Sequence, residues 1–323
     1  MVSPELAPQL IGQDQALTLL ARAVASQRVA PGYLFFGPAG VGRSIAAAQF
    51  AEQLLAPPGA ADPTLQRRIR DRNHPDLLWV EPTYLHQGQR LTSTEAAAQG
   101  LKRKSPPQIR LEQIRELARF LSRPPLEATR AVVVIEAAER MAEAAANALL
   151  KTLEEPGRAT LILIAESQQA LLPTLVSRCQ TIPFRRLGAE QLAQVLHQVG
   201  QPELLQSAEM VAIAQGSPGS AIASWQQLQA LPPELLAAVA QPPITLRQAL
   251  ETARLINQSL DTETQLWLID YLQSRYWQPS RPATARQVER LETARRYLLS
   301  FVQPRLVWEV VLMGMVEGEE GRG

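Results

Sequence analysis

Short apolar runs that alternate with helical segments constrain the fold of this chain more than any other feature. The runs are Tyr33–Phe36, Ala131–Ile135 and Thr160–Ala165. They are short for helices, and they lack the polar alternation of a strand with one solvated face. Such runs are typical of parallel strands that are covered by helices on both sides of a sheet. The first half is therefore predicted to be an α/β domain, with a further strand at Leu77–Val80.

A glycine-rich loop lies between the first run and the helix predicted after it. Gly37, Gly40, Gly42, Arg43 and Ser44 fit the spacing G-x-x-x-x-G-[basic]-[ST] of a phosphate-binding loop. The glycines let backbone N–H groups approach phosphate oxygens, and the serine is placed for magnesium. An arginine stands where the motif has lysine, and a planar guanidinium does not replace a compact ammonium in tight geometry. The loop predicts phosphate affinity, and a tight turn without nucleotide is the alternative.

The second half of an ATPase site is incomplete. An ATPase needs carboxylates after the next apolar strand, one to hold magnesium and one to activate water. Glu136 takes the metal-associated position after Ala131–Ile135, but its neighbour Ala137 cannot accept a proton. Hydrolysis is therefore predicted to be slow or absent, with Glu136 belonging to a degenerate ATP and magnesium site.

Composition excludes several other classes of protein. Lys and Arg total 32 against 31 for Asp and Glu, which argues against a strongly basic polyanion binder. The single cysteine, Cys179, excludes an internal disulfide framework and a multi-cysteine zinc module, and the three histidines lack metal-ligand spacing. The first residues do not form a signal peptide, and no apolar run approaches the roughly 18 to 20 residues of a membrane span. These features predict a cytoplasmic protein without a metal site or membrane segment.

Five segments in order carry a family resemblance. They are Gly12–Gln13, Tyr33–Ser44, Asn73–Asp76, Asn147–Pro156 and Ser177–Cys179. With them the chain resembles bacterial clamp-loader subunits of the AAA+ class, and more narrowly the delta-prime family of the DNA polymerase III holoenzyme. The stretch NALLKTLEEP with a downstream SRC is more specific than the phosphate loop.

The resemblance implies an architecture and a set of partners. It implies an AAA+ P-loop domain with a parallel sheet over residues 1–185, a small helical lid domain over 186–230 and an all-α collar domain over 231–323. The chain would be a subunit of the polymerase III holoenzyme without intrinsic enzymatic activity. Its partners would be clamp-loader ATPase subunits of the gamma or tau type and the delta subunit, and indirectly the sliding clamp and primer-template DNA.

The resemblance also assigns roles to single residues. Arg178 matches an arginine finger that acts in trans on the ATP of a neighbouring subunit. Gly219 stands where related ATPases carry a second, sensor arginine. Delta-prime subunits are similar to these ATPases but generally do not hydrolyse ATP, so weak or structural binding of ATP or ADP is the most that is implied. Many members carry a four-cysteine zinc module, which this chain lacks, so no zinc is expected.

Two alternative functions remain open at this stage. A self-sufficient AAA+ ATPase acting in remodelling would need Glu136 as metal ligand and another acid, such as Glu139, to activate water. A nucleic-acid-binding module would use a basic cluster for weak, salt-sensitive phosphate contacts. The residues of that cluster are Lys102, Arg103, Lys104, Arg110, Arg115 and Arg119.

Outside the motifs, the sequence makes a few predictions of local structure. The polar stretch 86–108 is interpreted as a mobile insertion. From about residue 231 the chain is expected to be entirely helical. Thr262–Gln265 fits a capping box at the start of one helix, and Pro304 is expected to begin the last helix.

Overall fold

The computed structural model describes residues 10–56, 62–99, 101, 106–277, 282–300 and 302–320. These residues form two compact units. The first takes in residues up to 99, residues 107–200 and residues 216–219; the second contains residues 201–215 and those from 220 onward.

The first unit is built on a five-stranded parallel sheet. The strands in this part of the chain are β1 (Gly32–Phe36), β2 (Leu77–Val80), β3 (Tyr84–His86), β4 (Gln89–Leu91), β5 (Ala131–Ile135), β6 (Ala159–Ala165) and β7 (Gln180–Pro183). The sheet order is β2-β5-β6-β1-β7, while β3 and β4 form a separate antiparallel pair. The four apolar strands predicted from the sequence are confirmed.

Helices flank these strands along the chain. They are α1 (Asp14–Ala25), α2 (Arg43–Leu55), α3 (Pro63–Arg70), α4 (Ser93–Ala98), α5 (Leu111–Leu121), α6 (Glu143–Glu154), α7 (Pro173–Val176) and α8 (Ala189–Gln198). Successive strand side chains point to opposite faces, so one strand feeds two cores. Val134 packs in a core with Phe50 of α2, whereas Val133 packs in another with Leu149 of α6. The covered parallel sheet explains why the strands carry no polar face.

The interpretation of 86–108 as a mobile insertion is wrong for its first part. The hairpin of β3 and β4 and the short helix α4 are regular structure, and they reach Ala98. Arg90 on β4 donates to Glu116 on α5 at 2.7 Å, which ties the hairpin to a helix of the first unit. The basic run Lys102–Lys104 lies outside the described residues.

The later part of the chain is helical where the structure describes it, as predicted. The helices are α9 (Ala208–Ala214), α10 (Pro218–Ala230), α11 (Pro233–Ala238), α12 (Leu246–Ser259), α13 (Thr262–Tyr276), α14 (Pro282–Leu299) and α15 (Pro304–Glu320). In the second unit, α15 packs on α12 and α14, and Trp308 is fully buried. None of the described helices is both long and apolar enough to cross a membrane.

One predicted cap is wrong. The N-cap of α13 is Asp261, whose carboxylate accepts from the backbone N–H of Thr264 at 2.8 Å. Gln265, expected to complete a capping box, is buried instead and accepts from Trp308 Nε1 at 2.9 Å. Asp261 takes the cap because its carboxylate satisfies an N–H of the first turn, which makes Thr262 the first helical residue. Pro304 begins the last helix, as the sequence predicted.

Candidate functional site

The glycine-rich loop connects the carboxyl end of β1 to the first turn of α2. Gly42 is the N-cap of α2 with φ at +98°, a left-handed conformation that favours glycine. Gly37 lies against the chain that follows β7, where a Cβ atom would be 2.3 Å from the carbonyl oxygen of Phe184. The loop therefore has the strand–turn–helix context that its motif requires. Ser44 is the second residue of α2.

A segment from further along the chain is bonded to this loop. The hydroxyl of Ser217 donates to the carbonyl of Ala39 at 2.7 Å, and the N–H of Gly219 donates to the carbonyl of Gly40 at 2.9 Å. A Cβ atom on Gly219 would lie 2.7 Å from Gly40 Cα. The position that the resemblance assigns to the sensor arginine therefore admits no side chain unless the loop moves.

Gln13, just before α1, forms hydrogen bonds with the loop and with the segment that follows β7. Its side chain is only 3% exposed; Nε2 donates to the carbonyls of Val41, at 3.3 Å, and Arg185, at 2.7 Å. Its Oε1 accepts from the backbone N–H of Arg185 at 3.0 Å. Leu10 also covers Gly42, since a Cβ atom there would be 2.3 Å from Leu10 Cδ1. The contacts of Gln13 and Leu10 within the chain itself thus hold the loop in place.

Arg43 is turned towards the end of the sheet. Its Nη1 donates to the carbonyl of Ala165 at the end of β6. Burial lowers the pKa of Arg43, and the nearby carboxylates of Glu139, Glu166 and Glu136 oppose that shift. The guanidinium is committed to a carbonyl and surrounded by acids, so it does not replace the free lysine of an active phosphate loop.

Glu136 is engaged by neighbours of its own. Trp79 Nε1 donates to its Oε1 at 3.2 Å, and Arg72 Nη2 lies 3.9 Å from the same oxygen. The Arg72 guanidinium stacks over the Trp79 ring, 4.8 Å from its centroid, and also forms an ion pair with Glu81. Both contacts are made to Oε1, so a magnesium ion bound there would have to displace them, and the residues fit a catalytic ATP–magnesium group poorly.

Glu139 is close to Arg43 but poorly placed for catalysis. Burial raises the pKa of its carboxyl, its own backbone N–H opposes this, and the charge of Glu166 raises the pKa further. Its Oε2 is buried and has no hydrogen-bond partner among the described residues. A general base must touch the water that it deprotonates, and buried Oε2 cannot do so, which leaves only Oε1 for that role. No group of three or more His, Cys, Asp or Glu in the described ranges could hold a metal ion.

Arg178 lies in the turn between α7 and β7. Its Nη1 donates to the carbonyl of Thr174 at 3.0 Å, and its Nη2 donates to Glu154 Oε1 at 2.6 Å. The arginine side chain is 38% exposed. Next to it, burial raises the pKa of the Cys179 thiol to about 11, so this cysteine is not a nucleophile at neutral pH.

Arg178 and the glycine-rich loop lie at opposite ends of two neighbouring parallel strands, β7 and β1. In the parallel pair β1–β7, Tyr33 is opposite Gln180 and Phe36 is opposite Pro183. Arg178 precedes the start of β7, whereas Gly37 follows the end of β1. At about 3.3 Å per residue, the two positions are about 20 Å apart along the strands. Arg178 is therefore out of reach of the loop in its own chain.

The structure thus gathers Arg43, Glu136 and Glu139 at the carboxyl ends of the strands and separates them from Arg178, which lies at the amino end of β7. Sequence reasoning missed the partners that decide what these residues can do. Gln13 and Glu154 occur within segments that carry the resemblance, but no spacing pattern assigns them a contact. Trp79 and Arg72 belong to none of the motifs recognised in the sequence.

The basic cluster is only partly available for phosphate contacts. Arg110 Nη1 donates to the carbonyl of Thr83 at 2.7 Å, so its guanidinium supports the fold. Arg115 and Arg119 are exposed on α5. Among the described residues of the cluster, Arg115 and Arg119 are therefore the ones left for phosphate contacts.

Two family models match the chain. The model "DNA polymerase III, delta subunit" matches residues 12–188, and "Cyanobacterial DNA polymerase III delta prime, C-terminal domain" matches residues 190–315.

Two relatives are DNA polymerase III delta-prime subunits. The protein from Bacillus subtilis is 34% identical over 180 residues, covering 54% of this chain and 48% of that protein. The protein from Pseudomonas aeruginosa is 35% identical over 196 residues, covering 58% and 53%. The chain thus spans about half the length of the curated relatives it matches.

A solved structure shows the same fold. A DNA polymerase III gamma subunit-related protein from Thermotoga maritima matches with a TM-score of 0.55 at 21% identity, covering 94% of this chain and 99% of that chain. The predicted fold class, a parallel-sheet α/β domain of the AAA+ type followed by helices, is confirmed.

Proposed function

This chain belongs to the delta-prime family of DNA polymerase III subunits, and on that premise we propose that it is the non-catalytic delta-prime subunit of a replicative clamp loader. In this role Arg178 reaches the ATP bound by a neighbouring ATPase subunit while the clamp is loaded on primed DNA. The observation that carries the proposal is the position of Arg178. It is partly exposed at the amino end of β7, at the other end of the strands from its own phosphate loop.

The chemistry of Arg178 suits a contact in trans. A guanidinium has five N–H donors and keeps its positive charge at any physiological pH. One N–H on Nη1 and one on Nη2 are used within the chain, which leaves three for a ligand. Such donors stabilise the charge that develops on a transferring phosphoryl group.

The residues around the phosphate loop, at the carboxyl ends of the strands, argue against hydrolysis by this chain itself. Arg43 is bonded to a backbone carbonyl and Glu136 to an indole N–H. Gly219 leaves no room for a sensor side chain. The self-sufficient ATPase is therefore the weaker hypothesis, and any ATP or ADP at this loop would be structural.

The partners and the domain roles follow from the same premise. We propose gamma- or tau-type ATPase subunits and the delta subunit as partners in the bacterial cytoplasm, with the sliding clamp and primer-template DNA as indirect ones. The division into residues 1–185, 186–230 and 231–323 remains a prediction, with the last segment as the collar. Leu306 and Val310 support a collar, since each is 51% exposed and they share one face of α15.

The test is DNA-stimulated ATP hydrolysis by the loader reconstituted with its cognate tau-type and delta subunits. Arg178→Ala in this chain alone is expected to remove at least the turnover of the one ATP site that the finger serves, with assembly intact by gel filtration. Arg28→Ala is the control, because this arginine is exposed and makes no ion pair among the described residues. Unchanged hydrolysis by Arg178→Ala would refute the finger. Hydrolysis by this chain alone would refute the non-catalytic role.

A further inference from the structure

Glu154 is the last residue of α6, an unfavourable place for an acid. The carboxyl end of a helix carries a partial negative charge, which repels carboxylates. Local structure therefore does not explain this residue. Its contact does, because Glu154 Oε1 accepts from Arg178 Nη2 at 2.6 Å across a separation of 24 residues.

With this contact, two hydrogen bonds within the chain fix the guanidinium of Arg178. Nη2 is bonded to Glu154 and Nη1 to the carbonyl of Thr174, so both ends of the planar guanidinium are fixed. A long arginine side chain otherwise samples many rotamers, and ordering it in advance lowers the cost of binding. The side chain remains 38% exposed, so the held guanidinium is still partly open to a ligand.

We propose that Glu154 is a positioning residue for the arginine finger, orienting Arg178 towards a phosphate on the neighbouring subunit. This inference rests on the proposed function of Arg178. Glu154 touches no phosphate itself and acts only through the guanidinium. Because the pair is half-exposed, its loss changes turnover modestly, by about 1.5-fold to fivefold, the range that surface ion pairs give.

The experiment uses the reconstituted loader with changes in this chain only, measuring kcat and KM for ATP under DNA stimulation. Glu154→Ala is expected to lower kcat about 1.5-fold to fivefold with KM unchanged. Glu154→Gln keeps an oxygen that accepts from Nη2, so it should restore most of the loss. Glu155→Ala is the matched control, since this neighbouring acid is exposed and makes no ion pair among the described residues.

A double variant separates positioning from a merely structural role. If Glu154 acts through Arg178, then Glu154→Ala combined with Arg178→Ala has the same kcat as Arg178→Ala alone. A further loss in the double variant, a normal kcat for Glu154→Ala or an equal loss for Glu155→Ala would each overturn the inference. If Arg178→Ala itself changes nothing, the proposed function fails and the inference fails with it. A loss in Arg178→Ala with none in Glu154→Ala overturns only the role of Glu154.

Discussion

The change Gly219→Ala tests whether the segment around this residue is closed onto the phosphate loop. In an ordinary helix the change from glycine to alanine stabilises a protein by up to about 1 kcal/mol. In α10 the added Cβ atom would lie 2.7 Å from Gly40 Cα and 2.9 Å from Gly40 O. Both atoms belong to the backbone, so neither can swing aside as a flexible side chain would.

The expected sign is therefore reversed. Moving Gly219 away breaks its hydrogen bond to the Gly40 carbonyl, 2.9 Å long, at a cost of about 0.5–1.5 kcal/mol. Overpacking adds about 1–3 kcal/mol. Subtracting the full gain of about 1 kcal/mol in helix propensity from these two costs leaves an expected loss of about 0.5–3.5 kcal/mol of stability, centred on ~2 kcal/mol.

Chemical unfolding followed by circular dichroism measures this change. Gly188→Ala is the control: the residue is the N-cap of α8, and the nearest atom to its Cβ position is 4.0 Å away. Alanine is a poorer N-cap than glycine, so this control should still cost about 0.5–1 kcal/mol, but without the backbone clash of Gly219→Ala. If Gly219→Ala is as stable as the unchanged protein, or more stable, then the segment is not held against the loop and the reasoning is refuted.

Two further changes test the bonds that hold the first unit together. Gln13→Ala should cost about 1–3 kcal/mol in chemical unfolding, because its loss leaves the buried carbonyl of Val41 and two part-buried backbone groups of Arg185 without this partner. A change below about 0.5 kcal/mol, as small as that of a surface substitution, would contradict this. Asp76 accepts backbone N–H groups at 2.6–2.8 Å from residues 126–128; burial raises its pKa, but these bonds outweigh burial and hold it below the ordinary 3.8. Its stabilising contribution is complete above about pH 4 and is lost as the pH falls through the lower, folded-state pKa. Asp76→Asn should therefore weaken the fall in the free energy of unfolding below about pH 4. An unchanged fall would count against this role of Asp76.

Some features of this protein follow from local sequence alone. Ala131–Ile135 is a strand because its β-branched residues and lack of a polar face suit a covered parallel sheet. The spacing from Gly37 to Ser44 fixes a strand–loop–helix turn, since Gly37, Gly40 and Gly42 all take positive φ, which glycine adopts without steric cost. Ala137 beside Glu136 already removes the second catalytic acid. Each of these conclusions depends on residues close together in the chain.

The tertiary structure decided what the site residues can do. Strand β7 contains one buried apolar residue, Ile182, and it forms at the sheet edge only because β1 offers it a partner. Arg43 keeps the charge that its motif needs, but the end of β6 supplies a carbonyl that turns it away. Arg178 gains its orientation from Glu154, 24 residues earlier in the chain. Such pairings depend on how strands and helices pack, and one-dimensional spacing does not specify that packing.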